Sequence, residues 1–170
     1  MRRKILIVDG YNVVRATPPY KELADLDLSA ARDALIADVA AYAAGEWEAT
    51  VVFDGGGNPL STGQGEDIHG VRVVFSKYGT SADSVVEMLA RRAREREDQV
   101  DVVTSDAQTQ WTVMGSTVAR RSSAEFSREL RAEEAEWREA SGAGRAVVRL
   151  EDRIDPEVRD RLREMIDPSF

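Results

Sequence analysis

An α/β fold, a three-layer sandwich with a central and mostly parallel sheet, is predicted by three observations. Apolar runs of strand length alternate with helix-period segments along the chain. Three of those runs, ILIVD, TVVFD and VVTSD, end on an aspartate. No internal repeat or low-complexity segment breaks the alternation, and 170 residues suit a single domain with its own core.

The first strand is read at Lys4 to Val8, stopping at Asp9. A loop is expected around TPPY, Thr17 to Tyr20, because two adjacent prolines interrupt a helix. LSAARDALIADVAAY follows as a helix capped by Ser29, with Leu35, Ile36, Val39 and Tyr42 on one face. The second strand is Ala49 to Asp54. Gly55 to Gly70 is glycine-rich and polar, so a mobile loop is expected there. The third strand runs from Val71 to Ser76. Ser81 then caps a long helix whose stripe is Val85, Val86, Leu89 and Ala93.

The fourth strand is Gln99 to Asp106, followed by a short helix from about Ala107 and a short fifth strand near Ser116 to Ala119. A capping box, Ser122 with Glu125, opens a charged helix docked through Phe126, Leu130 and Trp137. After GAGR, Asp155 and Pro156 start a last helix. The core is therefore expected over 1–121. The C-terminal helices, 122–170, are expected as an extension packed on it.

Composition narrows the function classes. The chain is 42% apolar and 32% charged, which places it with globular rather than disordered proteins. It has no cysteine, so disulfides and thiolate metal sites are excluded. No apolar run is long enough for a membrane span and no signal peptide is read, making the cytoplasm the expected location. A net charge of -8 argues against wholesale phosphate binding, but basic clusters at Arg91 to Arg96 and Arg120–Arg121 keep nucleic acid open.

Parallel strands share one C-terminal edge, where open α/β sheets bind ligands. Asp9, Asp54 and Asp106 end three such strands, and Asp83 opens the helix that starts on the same edge. A single strand-end aspartate is explained by turn and cap preferences, and Asp54 alone reads that way. Four together would repel and raise one another's pKa unless a cation relieved them. A hard dication such as Mg²⁺ suits oxygen ligands and retains waters, and it would align a water against a phosphodiester.

VDGYN at Val8 to Asn12, VVFDG at Val51 to Gly55, TSADSVVEML at Thr80 to Leu89 and VVTSDAQTQW at Val102 to Trp111 together resemble an NYN domain. The likeness is to the YacP-like branch of the PIN-like nucleases, and it covers essentially the whole chain. It implies an endoribonuclease dependent on Mg²⁺ or Mn²⁺ that cuts single-stranded RNA, in this branch messenger RNA in association with the ribosome. The resemblance carries Asp9 onto the first metal-binding acid and Asn12 onto its polar partner. Asp83 and Asp106 match the later acids, and Asp54 the strand-two acid, whose part in metal binding is less defined.

Glu87, one turn beyond Asp83, is as readily a solvated surface acid as a further ligand. Arg120 and Arg121 are candidates to meet RNA phosphates. Thr104 and Ser105 could hold a phosphate or orient Asp106, but a β-branched residue before a turn needs no such role, so Ser105 alone is kept as a candidate. Tyr11 is a candidate to stack on a base, although packing is the commoner use of such a tyrosine. His69, the only histidine, lies in the glycine-rich loop and reads as solvated, because metal-dependent nucleases need no histidine. Gly55 to Gly57 lacks the spacing of a phosphate-binding loop. A monomer is expected.

Two other classes compete. A non-catalytic RNA- or ribosome-binding module with the same fold would bind RNA without its acids. A receiver-like phosphotransfer domain also gathers aspartates at strand ends, but it wants adjacent acids after the first strand and a lysine after the last. Here Gly10 follows Asp9 and no lysine follows Lys77.

Overall fold

The strand of lowest exposure is KILIVD, β1 (Lys4–Asp9), with every residue after Lys4 buried. That burial follows from its place in the sheet. The computed structural model describes residues 2–104 and 118–140, with side chains as far as 132. Residues Met1–Glu133 form one compact unit and Glu134–Phe170 a second. The first unit carries the sheet.

In chain order it holds β1, α1 (Gly10–Ala16), α2 (Pro18–Leu26), α3 (Leu28–Ala43), β2 (Glu48–Phe53), β3 (Gly65–Ile68) and β4 (Val71–Phe75). Then come α4 (Ala82–Glu95), β5 (Gln99–Val103), β6 (Val118–Arg121) and the start of α5 (Ser123–Ala140). The strand order is β3-β4-β2-β1-β5-β6, with β3 antiparallel to β4 and every other pairing parallel. The mostly parallel sheet read from the sequence is thus present. One face packs on α1, α3 and α5 through Leu6, Val8, Val13, Leu35, Val39 and Phe126. The other packs on α4 through Ile5, Ile7, Val52, Val86 and Ala90. Parallel strands covered on both faces read as continuous apolar runs, which is why β1 shows no alternation.

Several local expectations are corrected. The prolines of TPPY start a helix instead of preventing one: Pro18 and Pro19 fill the first turn of α2, where an N–H has no helical partner anyway. Asp27, not Ser29, caps α3, accepting from the amides of Ser29 and Ala30. The segment expected to be a loop, Gly55 to Gly70, contains β3, which joins β4 through His69 and Gly70. Both of those residues have positive φ (53° and 82°), the pattern of a two-residue type I′ hairpin.

Ser81 does cap α4, through the amide of Ser84. The capping box of α5 also forms, Ser122 N–H donating to Glu125 and Glu125 N–H to Ser122 Oγ. Asp106, Ser105, Trp111, the short helix at Ala107 and the last helix at Asp155 lie outside the described residues, as does the side chain of Trp137. Among the described residues no helix is long and apolar enough to cross a membrane.

Candidate active site

Strand order places the site. The connection from β1 leads to β2 on one side, whereas α4 carries the chain back across to β5 on the other. The order reverses between β1 and β5, and the crevice beyond their carboxyl ends is the position where such sheets bind ligands. Asp9 ends β1 at this crevice, and α1 starts at the next residue.

Asp9 is only 5% exposed and holds three roles at once. It ends the strand, and its Oδ1 accepts the Asn12 amide at 3.2 Å as the N-cap of α1. Its Oδ2 accepts Asn12 Nδ2 at 2.8 Å. The same Nδ2 reaches Thr104 Oγ1 at 3.2 Å, so Asn12 ties the end of β1 to the residue after β5. Thr104 is itself buried.

Burial raises the Asp9 pKa from its ordinary value of 3.8 to about 6. The Asn12 amide opposes that rise. The Asp83 carboxylate adds to it, by charge and by hydrogen bonding, and Arg15 opposes it. Asp83 stands in the first turn of α4, exposed to solvent. A desolvated carboxylate beside a second, solvated one is a donor set of hard oxygens whose negative charge Arg15 and the Asn12 amide offset only in part. That fits Mg²⁺ or Mn²⁺, which use one or two carboxylates and keep waters. Among the described residues no group of three acidic or imidazole side chains gathers to hold a metal.

Register explains why Asp54 does not join the pair. Asp9 lies level with Val52 on β2, so Asp54 is two residues further out, roughly 7 Å along the strand direction. It is exposed, and its Oδ1 accepts the Gly56 amide at 2.8 Å, capping the turn after β2. Glu87 is likewise exposed and makes no third ligand with Asp9 and Asp83.

The Tyr11 ring packs on Phe53 with centroids 5.1 Å apart, and its hydroxyl accepts from Arg32 at 3.0 Å. The Arg15 guanidinium lies 5.9 Å from the centroid of the same ring. Tyr11 is therefore a packing residue. Arg121 is engaged internally. Its guanidinium meets the buried Asp101 at 2.6 Å, donates to Tyr42 at 2.9 Å and pairs with Glu129. Burial works against its charge, yet Asp101, Tyr42 and Glu129 hold its pKa above the ordinary value. Arg120 is exposed on β6.

The cluster Arg91 to Arg96 lies roughly 12 to 20 Å along α4 from Asp83, toward the opposite edge of the sheet. His69 turns the β3–β4 hairpin at that opposite edge as well, away from the acids.

Gly10 has a different reason from the free turn its type suggests. It is the first residue of α1, and a Cβ there would fall 2.3 Å from Phe53 Cε1. Arg15 and Phe53 were not singled out from the sequence, and Thr104 was weighed there only for a phosphate or for Asp106, not for Asn12. Thr104 needs the β1–β5 register to be seen beside Asn12. Arg15 needs α1, a helix too short to show a periodic stripe. Phe53 needs the contact with Gly10.

Comparison with known proteins agrees with this fold. The YacP-like NYN domain family model matches residues 6–167. YacP of Bacillus subtilis (strain 168) is 33% identical over 126 residues, covering 74% of each chain. The crystal structure of Rae1 (YacP) from Bacillus subtilis superposes with a TM-score of 0.63 at 31% identity, covering 95% of this chain and 89% of that one. A tryptophan-to-leucine mutant of the same Bacillus protein gives 0.64 at 30% identity, covering 95% and 99%. A buried aspartate and its amide partner at the switch point of a mostly parallel sheet thus belong to a nuclease-type fold, and this chain is a member of the YacP-like NYN domain family.

Proposed function

We propose that the protein is a metal-dependent endoribonuclease that cuts single-stranded RNA, its substrate being messenger RNA in association with the ribosome. The observation that carries this reading is the buried Asp9 carboxylate, held by Asn12 and faced by Asp83 at the switch point of the sheet. Asp9 and Asp83 would hold Mg²⁺ or Mn²⁺, with Asp106 as a further ligand. A bound dication supplies charge stabilisation for the phosphodiester and a more acidic water.

The chain's own residues do the rest. Asn12 fixes the orientation of the Asp9 carboxylate, because its side-chain amide donates to Oδ2 while its backbone N–H donates to Oδ1. Thr104 holds the Asn12 amide in that orientation. Arg15, exposed and close enough to stabilise the Asp9 anion, is placed to meet an incoming phosphate. Arg120 remains a candidate for phosphate contact, whereas the internal pairing of Arg121 argues for a structural task.

The test is end mapping on an unstructured RNA with purified protein and Mg²⁺ or Mn²⁺, alongside Asp9→Asn and Asp83→Asn. New internal ends with the unsubstituted protein, lost in both variants and in chelator, are expected. Cleavage that survives Asp9→Asn sinks the mechanism. RNA binding without new ends points to a binding module instead.

A further inference from the structure

Two large side chains stand out in solvent on the same edge as the acids. Tyr78 is 57% exposed in the connection from β4 to α4, and Leu60 is 86% exposed in the connection from β2 to β3. Isolated exposed apolar groups are ordinary. These two are unusual in how firmly their backbones are held.

Lys77 to Thr80 form a β-turn closed by Thr80 N–H to Lys77 O at 2.9 Å, with Tyr78 at its first corner. Gly79 follows with φ 76°, the left-handed conformation the second corner of a type II turn requires. The Tyr78 amide donates to Ser61 O at 3.1 Å and the Gly79 amide to Gly56 O at 3.0 Å. Ser61 Oγ donates to Ser76 O at 2.7 Å, and the Gly55 amide to the buried Ser76 Oγ at 2.9 Å. Two loops are thereby stitched into one clasp, and Leu60 immediately precedes the residue bonded to Tyr78.

The clasp runs directly into the site. Ser81 caps α4, and Asp83 is in its first turn. Asp83 is five positions after Tyr78, so their Cα atoms are at most about 18 Å apart, a span that a few nucleotides cover. Lys77, beside Tyr78, is exposed and forms no ion pair with a described residue. Tyr11, the other tyrosine near the acids, has its ring engaged by Phe53 and Arg15.

We infer that Tyr78 is a stacking platform for an unpaired base of the RNA strand, with Lys77 on an adjacent phosphate, positioning the strand across Asp9 and Asp83. An aromatic face accepts any base, so the platform selects single strands over duplexes rather than one sequence over another. The fixed turn matters because a ring held in place loses less freedom when a base lands on it. This inference rests on the proposed RNA substrate.

The experiment is a fluorescence titration of the full chain with an unstructured oligoribonucleotide carrying 2-aminopurine, in chelator so that nothing is cut. The unsubstituted protein is expected to bind and quench. Tyr78→Ala should weaken binding about 5- to 100-fold and abolish much of the quench, while Tyr78→Phe retains both. Lys77→Ala should lower the slope of log affinity against log salt by about 0.7. Equal binding and quench by Tyr78→Ala overturns the platform and leaves the RNA reading standing. No binding by the unsubstituted protein overturns both.

Discussion

The ring of Phe53 occupies the space that a side chain on residue 10 would need. A Cβ on Gly10 would lie 2.3 Å from Cε1, 2.6 Å from Cδ1 and 2.9 Å from Cζ of that ring. Phe53 cannot swing away freely, being fully buried and stacked on Phe75 with centroids 5.5 Å apart. Gly10→Ala should therefore destabilise the protein by about 1–3 kcal/mol through overpacking, despite alanine's better helix propensity. The midpoint of urea unfolding measures it. Phe53→Leu in the same background should return part of the loss, and a Gly10→Ala protein as stable as the parent would refute the contact.

Asp9 gives a pH dependence with a definite sign. Its native pKa, about 6, lies above the ordinary 3.8, so the native state keeps a proton that the unfolded chain releases between those values. Stability from this group is full below pH 3.8, declines as pH rises, and is lost above about 6, a change of up to about 3 kcal/mol. Asp9→Asn removes the desolvated charge while leaving an N-cap acceptor. It should raise the melting temperature at a pH of about 7.5 and give no gain at about 3.5. Mg²⁺ should stabilise the parent and not the variant, as read by calorimetry.

Asn12 separates orientation from charge. Asn12→Ala frees both Asp9 Oδ2 and Thr104 Oγ1 from their shared donor. Losing such a partner of a metal ligand typically costs about 10- to 100-fold in affinity or activity. Single-turnover cleavage should fall by that factor with little change in RNA binding. Asn12→Asp should fall further, since it sets another carboxylate against Asp9. An undiminished rate in Asn12→Ala would remove Asn12 from the mechanism.

Arg121 should prove structural. It joins Asp101 on β5, Tyr42 on α3 and Glu129 on α5. Arg121→Ala leaves the buried Asp101 without its cation, a change that typically destabilises by about 3–5 kcal/mol. Chemical denaturation should show that loss, and Arg121→Lys should recover only part of it, because one ammonium cannot reproduce the fork. A stable Arg121→Ala protein with weakened RNA binding would return the residue to the RNA surface.

The fold was legible in the sequence because a parallel sheet announces itself through mainly apolar runs: β1 is unbroken after Lys4, and β2, β4 and β5 are interrupted within the run only by Thr50, Arg72 and Asp101. What stayed hidden depended on register and on short helices. Three runs in the sequence end on aspartate, but of these only Asp9 ends its strand: β2 stops at Phe53, and with Asp9 beside Val52, Asp54 falls beyond the edge. Sequence shows strand ends and not their alignment, so Asp54 could be kept as a less defined ligand although its turn role already explained it. The same register brings Thr104 to Asn12, a contact that its place at a strand end does not show, because Val8 pairs with Val103 and the next residues meet across the crevice. TPPY suggests a loop only until its place is known, since a proline's position within a helix decides whether it breaks or begins one. The Asp9–Asn12 pairing was expected only through the family resemblance, because the N-cap that makes it needs α1, a helix not read from the sequence.

The type I′ hairpin at His69 and Gly70 has a consequence for solution behaviour. Without β3, the outer edge of β4 would expose a row of unpaired amides and carbonyls, a template on which another chain's strand could grow. β3 covers that edge with four residues, two of which, Glu66 and Asp67, are exposed acids. An edge this short and like-charged repels its own copies. The hairpin that turns at the edge opposite the acids thus guards the sheet against fibrous self-association, and so helps keep the crevice available at high protein concentration.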